Sequence, residues 1–296
     1  MIDGRAGSRL FCFGLGYSAL ALARVLAVAG WTVAGTSRSA KTAAELRTQG
    51  FAVTVFDRDQ PLAAAALHGE THVLVSIPPD AAGDPVLDRH GGDIAALPGL
   101  AWLGYLSTTG VYGDRDDGWV DEGSALLPTG ERGRRRVMAE EGWRALWRER
   151  GVPVHLFRLA AIYGPGRSPF AALRAGVAKR IDKPGQVFSR IHVEDLARVL
   201  AASIAQPRPG AVYNVCDDEA APPEAVVAYA AKLLGIAAPP LVPFDEAALS
   251  PMVRSFYDDN KRVRNALIKS ELGVILRYPD YRAGLTAILA AEQDRG

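Results

Sequence analysis

The chain has 296 residues and a mass of 31.5 kDa, enough for one large α/β domain or two smaller ones. Hydrophobic residues make up 49% and charged residues 23%, so the composition excludes wholesale disorder and allows a sizeable core. The formal net charge is +1, from 34 Lys and Arg against 33 Asp and Glu. No overall positive field therefore favours nucleic acid or an acidic membrane surface as a partner.

The cysteines and the apolar segments indicate the cellular compartment in which we expect the protein. Cys12 and Cys216 both lie in apolar runs, which favours buried thiols in a reducing compartment over a disulfide framework. Residues 1–9 are polar and lack an apolar signal core. The longest apolar stretch, residues 19–31, is interrupted by Arg24 and is too short to span a bilayer. We expect a cytoplasmic protein with no membrane partner, and the scattered histidines predict no metal site.

Short apolar runs alternate with alanine- and leucine-rich segments over the first third of the chain. The runs predict buried strands at residues 10–13, 31–36, 51–56, 73–76 and 102–107. The segments between them predict helices at residues 17–29, 39–49 and 84–96, with a short one after Pro61. Strands that alternate with helices predict parallel βαβ units wound on both faces of one sheet.

The pattern loosens in the second half, where proline and glycine cluster after Gly164. Helices are predicted at residues 132–150, 193–205 and 222–234, strands at 154–159 and 211–215, and a mostly helical tail at 245–296. The fold class predicted from these elements is α/β, with a Rossmann-type doubly wound parallel sheet and a smaller carboxy-terminal lobe.

A glycine pattern joins the first strand to the first helix. Gly14-Leu15-Gly16-Tyr17-Ser18-Ala19 fits G-x-G-x-x-[GA] in the setting that a dinucleotide site requires. Gly14 permits the tight turn, Gly16 lets the backbone approach a pyrophosphate, and the helix N-terminus offers N–H groups to the phosphates. A plain strand-turn-helix with two convenient glycines is the alternative. The pattern favours dinucleotide binding by residues 14–18.

The residues after the next strands indicate which dinucleotide is bound. Thr36-Ser37-Arg38 stands where an NAD site carries an acidic residue, and an arginine there can bind a 2′-phosphate. This favours NADP over NAD, while a solvated surface arginine is the alternative explanation. Asp57 fits either a hydrogen bond from the adenine amino group or an ordinary turn. Ser76-Ile77-Pro78 is expected to line the cofactor ribose, mainly through its backbone.

Four sequence blocks occur in a characteristic order: residues 14–19, Ser107 to Gly113, Arg158 to Gly166 and Ile191 to Ala197. Together they resemble the NAD-dependent epimerase/dehydratase branch of the short-chain dehydrogenase/reductase superfamily, over nearly the whole chain. The resemblance implies an NADP-binding Rossmann core at residues 1–165. It implies that residues 166–296 form mainly the substrate lobe, partly interleaved with the core. Members often dimerise through the helices after strands four and five, which leaves a homodimer open here.

The resemblance also implies the catalytic positions. The family uses a hydroxyl residue after strand five and a Tyr-x-x-x-Lys pair on the next helix. Thr108 matches the hydroxyl residue. With Glu140 as the anchor, Arg132 stands at the tyrosine position and Arg136 at the lysine position. Arginine stays protonated and cannot exchange a proton as tyrosine does, but it can hold an anion or polarise a carbonyl. The acid/base site is therefore expected to be degenerate.

The arginines of this helix allow two interpretations. Arg132 and Arg136 share one helix face, so they could bind an anionic group at the mouth of the site. The alternative is a solvated arginine-rich face in which Arg136 pairs with Glu140. For Arg134 and Arg135 the solvated face is favoured.

Three other titratable side chains lie near the family's site, and the resemblance gives each a structural role. Tyr112 would pack the loop after strand five, Tyr163 would hold a turn, and His192 would orient the loop before its helix. None of them is expected to replace the missing tyrosine.

Two further departures from the family restrict the substrate. Dehydratases carry an Asp-Glu pair where this chain has Thr109 and Gly110, so sugar dehydration is disfavoured. Sugar-nucleotide enzymes often carry asparagine where this chain has Ala161, which we place among the cofactor-binding residues. We expect an NADP-dependent oxidoreductase or epimerase-like enzyme that acts on a small, anionic carbonyl or hydroxyl compound. A non-catalytic NADP(H) sensor or scaffold is the alternative, and a Rossmann-like protein with another ligand, such as S-adenosylmethionine, is a third.

Overall fold

A computed structural model describes residues 7–294 of the chain. Its strands are β1 Arg9–Phe13, β2 Thr32–Ser37, β3 Ala52–Val55, β4 His72–Val75, β5 Trp102–Thr108, β6 Trp119–Val120, β7 Val154–Leu159, β8 Ala161–Tyr163, β9 Arg180–Asp182, β10 Arg190–His192, β11 Val212–Val215, β12 Leu241–Pro243 and β13 Arg262–Val263. Its α-helices are α1 Tyr17–Val28, α2 Ala40–Thr48, α3 Pro85–Ala95, α4 Glu131–Arg150, α5 Phe170–Arg174, α6 Val193–Ala205, α7 Pro223–Leu233, α8 Pro251–Ser255, α9 Ala266–Ser270 and α10 Tyr281–Gln293.

The central sheet has seven strands in the order β11-β7-β5-β4-β1-β2-β3. Every neighbouring pair is parallel. The order reverses beside β1, which is the point where open parallel sheets bind ligands at the carboxyl ends of their strands. The predicted α/β fold with a Rossmann-type doubly wound sheet is confirmed.

Alternate residues of β1 point to two separate cores, because successive side chains of a strand face opposite sides of the sheet. Leu10 and Cys12 pack in a cluster with residues of α1, α2 and α6. Phe11 and Phe13 pack in a second cluster with residues of α3 and α4. Helices therefore cover both faces of the sheet, and β1 is buried between them.

A smaller set of elements follows β7. The parallel pairs β8–β10 and β9–β12 lie outside the central sheet, and α5, α7 and α10 share an apolar cluster that includes Phe170, Ala230 and Leu285. However, β11 is the edge strand of the central sheet and α6 packs against α1. Segments after residue 165 thus contribute to the core, and the boundary itself stays a prediction.

The structure corrects two of the predicted elements. The short helix expected after Pro61 is a single 3-10 turn, Ala64–Leu67. The tail expected to be mostly helical is irregular over much of residues 245–265, and its main helix is α10. Residues 1–6 and 295–296, which belong to the polar amino-terminal segment and to this tail, lie outside the described residues.

Among the helices of residues 7–294, none has the length and apolar character needed to cross a membrane.

Candidate functional site

The glycine turn brings together the carboxyl ends of three neighbouring strands. Gly14 has a φ of 84°, a backbone conformation that favours glycine. Its N–H donates to Thr36 Oγ1 at 2.8 Å, and its carbonyl accepts from Ser76 Oγ at 2.5 Å. A Cβ at this position would lie 2.8 Å from both Ser76 Oγ and Ile77 Cγ1. Glycine is therefore required where β1, β2 and β4 end together.

The start of α1 is open to a ligand. A Cβ built on Gly16 would meet no atom within 4 Å, so the backbone there is accessible at close range. No side chain of residues 7–294 caps α1, and the first turn of this helix holds no acidic residue. Leu15 is buried beneath the turn, and Ser18 is half-buried without a side-chain hydrogen bond among the described residues. The amides at Tyr17 and Ser18 therefore fit the pyrophosphate of a dinucleotide.

An arginine without an ion-pair partner among the described residues lies at the end of β2. Arg38 is exposed, and its side chain has no hydrogen bond or ion pair among residues 7–294. Ser37 Oγ accepts from the N–H of Ser39, which in turn caps α2. The first turn of α2 contains the exposed Lys41 and no acidic residue. The described residues 36–41 thus carry two cations and no carboxylate at this end of the strand.

The remaining expected cofactor residues lie at the same edge of the sheet or just beyond it. Asp57 Oδ1 accepts from the N–H groups of Asp59 at 2.9 Å and Gln60 at 2.8 Å, so a turn role is established for it. Its contact with adenine stays a prediction. Pro78 is exposed in the loop after β4. Ala161 is exposed in β8, beyond the end of β7.

Thr108 ends β5 and caps the 3-10 turn that follows it. Its Oγ1 accepts from the N–H of Gly110 at 3.1 Å. The first turn of α4 packs against this turn, because a Cβ on Gly133 would lie only 2.8 Å from the Gly110 carbonyl oxygen. The close contact places Thr108 beside the arginine-rich start of α4.

The arginines of α4 divide into paired and unpaired side chains. Arg134 and Arg135 both bind Glu131, at 3.1 Å and 3.0 Å. Arg132 and Arg136 have no carboxylate within 4.0 Å among the described residues. Arg134 and Arg135 therefore lie on the helix surface in ion pairs with Glu131, and the other two cations differ from them in having no such partner.

The two unpaired arginines contact different groups. Arg136 is half-buried, donates from Nη1 to the Leu106 carbonyl of β5, and lies over the Tyr105 ring at 5.8 Å. Arg132 is exposed and lies over the Phe256 ring at 5.4 Å. Burial raises the pKa of Asp84 while the charge of Arg136 lowers it, so Arg136 also has a buried acid in its neighbourhood.

The alternative pairing of Arg136 with Glu140 is wrong. Glu140 binds Arg158 of β7 instead, with Oε2 and Nη2 2.8 Å apart and both side chains 2% exposed. Glu140 also accepts from Ser107 Oγ at 2.5 Å. A charged side chain in an apolar strand needs a buried partner of opposite charge. Arg158 lies in such a strand, so the sequence could have predicted a buried ion pair there.

The three other titratable side chains are held in structural contacts. The Tyr112 hydroxyl donates to Asn214 Oδ1 at 2.7 Å, and burial raises the pKa of Tyr112 to about 12. The Tyr163 hydroxyl donates to the Asp280 carbonyl at 3.2 Å, and burial raises its pKa as well. His192 Nδ1 accepts a backbone N–H as the cap of α6, and burial lowers the pKa of His192.

Two residues near the site have no signal in the sequence. Phe256 reaches Arg132 from the segment after α8, more than a hundred residues along the chain. Arg190, in β10, is buried and pairs in register with Ala161. Within the described part of the chain, no group of three or more His, Cys, Asp or Glu side chains could hold a metal ion.

Comparison with known proteins places this geometry in a family. The model of the NAD dependent epimerase/dehydratase family matches residues 95–216, which include Thr108, the α4 arginines and the Glu140–Arg158 pair. A functionally unknown conserved protein from Silicibacter pomeroyi DSS has 55% sequence identity and a TM-score of 0.90, over 96% of this chain and 99% of that one. The chain belongs to the NAD dependent epimerase/dehydratase family.

Two further proteins are similar to this chain at lower sequence identity. Protein YeeZ of Escherichia coli (strain K12) is 26% identical, over 90% of this chain and 95% of its own length. The UDP-glucuronic acid 4-epimerase of Bacillus cereus, solved with UDP-glucuronic acid and NAD, is 14% identical with a TM-score of 0.78. That likeness covers 97% of this chain and 100% of the epimerase, and it shows the epimerase/dehydratase fold.

Proposed function

We propose that this protein binds NADP(H) at the carboxyl edge of its sheet and transfers hydride to or from a small, anionic carbonyl or hydroxyl compound. The observation that carries the proposal is the division among the α4 arginines. Arg134 and Arg135 share an ion pair with Glu131, whereas Arg132 and Arg136 have no carboxylate partner among the described residues and lie beside the turn of Thr108. Two unpaired guanidinium groups in this place favour an anionic substrate.

The residues present fit a dinucleotide. Gly16 leaves open space beside the uncapped start of α1, and the tight turn at Gly14 exposes that helix end. The unpaired Arg38 supports NADP over NAD, because its guanidinium can bind a 2′-phosphate with two parallel hydrogen bonds. The NAD found with the distant epimerase of Bacillus cereus belongs to a chain of 14% identity and leaves that preference open.

The chemistry divides between cofactor and protein. A bound nicotinamide supplies or accepts the hydride. Thr108 Oγ1 donates a hydrogen bond to the substrate oxygen while it still accepts from the Gly110 amide. Arg136 and Arg132 bind the anionic group of the substrate through charge-assisted hydrogen bonds. Because neither arginine releases a proton at working pH, the oxygen takes its proton from water.

One observation favours the second candidate, a non-catalytic NADP(H) sensor or scaffold. The hydroxyls of Tyr112 and Tyr163, which follow β5 and β7, are both engaged in internal hydrogen bonds. Neither is free to take the place of the family's proton-transferring tyrosine. A sensor would bind NADP(H), discriminate its redox forms and turn over nothing.

The deciding experiment measures NADPH oxidation with 2-oxobutanoate, butanal and a wider panel of 2-oxo acids. We expect turnover of 2-oxo acids above the neutral aldehyde. Arg136→Met should lower kcat/KM for the acid by about 10-fold to 100-fold, because a charge-assisted contact is lost. The matched variant Arg134→Met, whose guanidinium is bound to Glu131, should have little effect.

A second matched pair of variants is Thr108→Val and its control Thr109→Val. The Thr109 side chain makes no hydrogen bond among the described residues. Only the Thr108 variant should lose turnover, by about 100-fold, as expected for a group that bonds the reacting oxygen. Preserved NADPH binding with no turnover of any panel member would replace the enzyme by the sensor.

A further inference from the structure

A cavity of about 380 Å³ lies in the carboxy-terminal lobe, between β10, α7 and α10. Its volume is within the range of small-molecule pockets. Val226, Val227 and Leu285 form an apolar part of its wall, and Arg167, Ser168 and Arg190 contribute polar groups. None of the residues assigned to the dinucleotide, to Thr108 or to the α4 arginines lines it.

Arg190 has free hydrogen-bond donors in this cavity. The side chain is 9% exposed, and its Nη1 donates to the carbonyls of Phe188 at 2.7 Å and Ala221 at 2.9 Å. The Nε–H and both Nη2–H groups have no acceptor among residues 7–294. These atoms are not sealed from solvent, and the residue lines the cavity. They are therefore available to a ligand.

The charge of Arg190 is not neutralised by the protein. No carboxylate of the described chain lies within 4.0 Å of its guanidinium. Asp217 is close enough to interact with it electrostatically, but burial raises the pKa of Asp217 to about 8, so the carboxyl keeps its proton at neutral pH. A buried, uncompensated cation is costly, and a ligand anion would relieve that cost.

We propose that this cavity binds a small organic carboxylate with an apolar body. Arg190 binds the carboxylate through its free Nε–H and Nη2–H donors, in the two-pronged geometry that arginine favours. Arg167 and Ser168 add a second charge and a hydroxyl at the rim, and Val226, Val227 and Leu285 contact the apolar body. The residues that line it differ from those assigned to hydride transfer, and Arg167 lies over the ring of Tyr17 at the boundary between the two sites.

The test uses isothermal titration calorimetry on the full chain with benzoate as the probe. Benzyl alcohol reports the apolar body without the charge, and inorganic phosphate reports an anion without the body. We expect benzoate to bind at least 10-fold more tightly than either, since both halves of the site are needed. Equal affinity for benzoate and benzyl alcohol, or for benzoate and phosphate, would overturn the proposal.

Two variants locate the site. Arg190→Met removes the charge, and Val227→Trp fills the cavity from a half-buried position that tolerates a larger side chain. Each should weaken benzoate binding by at least 10-fold, whereas Arg198→Met, on the exposed face of α6, should not. If Arg190→Met does not fold, Val227→Trp still shows whether benzoate binds in this cavity.

Benzoate binding that survives Val227→Trp but is lost in Arg136→Met would place the anion in the α4 site and overturn the proposal. NADPH titrated into the same samples separates the two proposals. Undiminished NADPH binding without benzoate binding contradicts this cavity alone.

Discussion

Glu140 and Arg158 form an ion pair, 2.8 Å between Oε2 and Nη2, that is sealed from solvent between α4 and β7. Ser107 donates to the same carboxylate, and the guanidinium donates to the Tyr112 hydroxyl at 2.9 Å. The network joins the helix that carries Arg136 to the ends of two strands. The position of the candidate site therefore depends on a buried contact that includes none of the proposed substrate-binding side chains.

Removing one partner of this pair should destabilise the fold strongly. Glu140→Gln leaves Arg158 charged and buried without a counter-ion, and we expect a loss of about 3 kcal/mol in the free energy of unfolding. Urea denaturation measures it. The neighbouring Glu141→Gln, which affects an exposed pair with Arg148, should change stability by less than about 1 kcal/mol. Equal losses in the two variants would show that the burial of Glu140 is not what matters.

Arg38 should discriminate between the two dinucleotides. Arg38→Ala removes the unpaired cation at the end of β2, so it should weaken NADPH by at least about 10-fold and leave NADH nearly unchanged. Fluorescence titration with both cofactors measures the effect. The control is Arg24→Ala, which removes an exposed arginine of α1 that donates a hydrogen bond to Gln49. Equal losses of affinity for NADPH and NADH would show that Arg38 does not bind the 2′-phosphate.

Asp217 should make stability fall as pH rises. Burial raises the pKa of Asp217 from its ordinary value of 3.8 to about 8, so between these values the folded chain holds a proton that the unfolded chain has released. The stabilisation is complete below about pH 4 and is lost as pH rises towards 8, by about 1.4 kcal/mol per pH unit at most. Asp217→Asn should remove this slope.

Denaturation of the wild type and Asp217→Asn at pH 5 and pH 8 measures the slope. Burial lowers the pKa of His72 and of His155 to about 4, so these residues act in the opposite direction and destabilise the fold as pH falls through 6.5 towards 4. Their contribution cancels when the two proteins are compared at one pH. A difference between the proteins that does not change from pH 5 to pH 8 would mean that Asp217 is already ionised when folded.

The sequence was most informative where short-range chemistry determines structure. Glycines and polar residues bound each apolar run as far as β5, so these strands and their helices were predicted within a few residues. The short strands β6, β8, β9, β10, β12 and β13 were missed because two or three residues carry no period. They form through pairing with distant segments, as β13 does with β6.

In the candidate site too, local patterns were predictable and contacts with distant segments were not. The residues around Gly14 were found together because one local pattern encodes the turn, and Thr36 and Ser76 follow neighbouring strands. Spacing on one helix offers Arg136 as an alternative partner of Glu140, whereas the actual partner, Arg158, comes from β7. The contact of Arg132 with Phe256 depends on how the chain returns, which no local pattern records.

The close approach of Gly133 to the Gly110 carbonyl has a consequence for redesign. The backbone of α4 approaches this turn through a glycine, and Arg136 adds a hydrogen bond to the Leu106 carbonyl. Arg132→Tyr and Arg136→Lys would leave the glycine contact in place, and the lysine would keep a donor for that carbonyl. The chain is a ready scaffold in which the general acid of its relatives could be installed by two substitutions, without rebuilding the main chain.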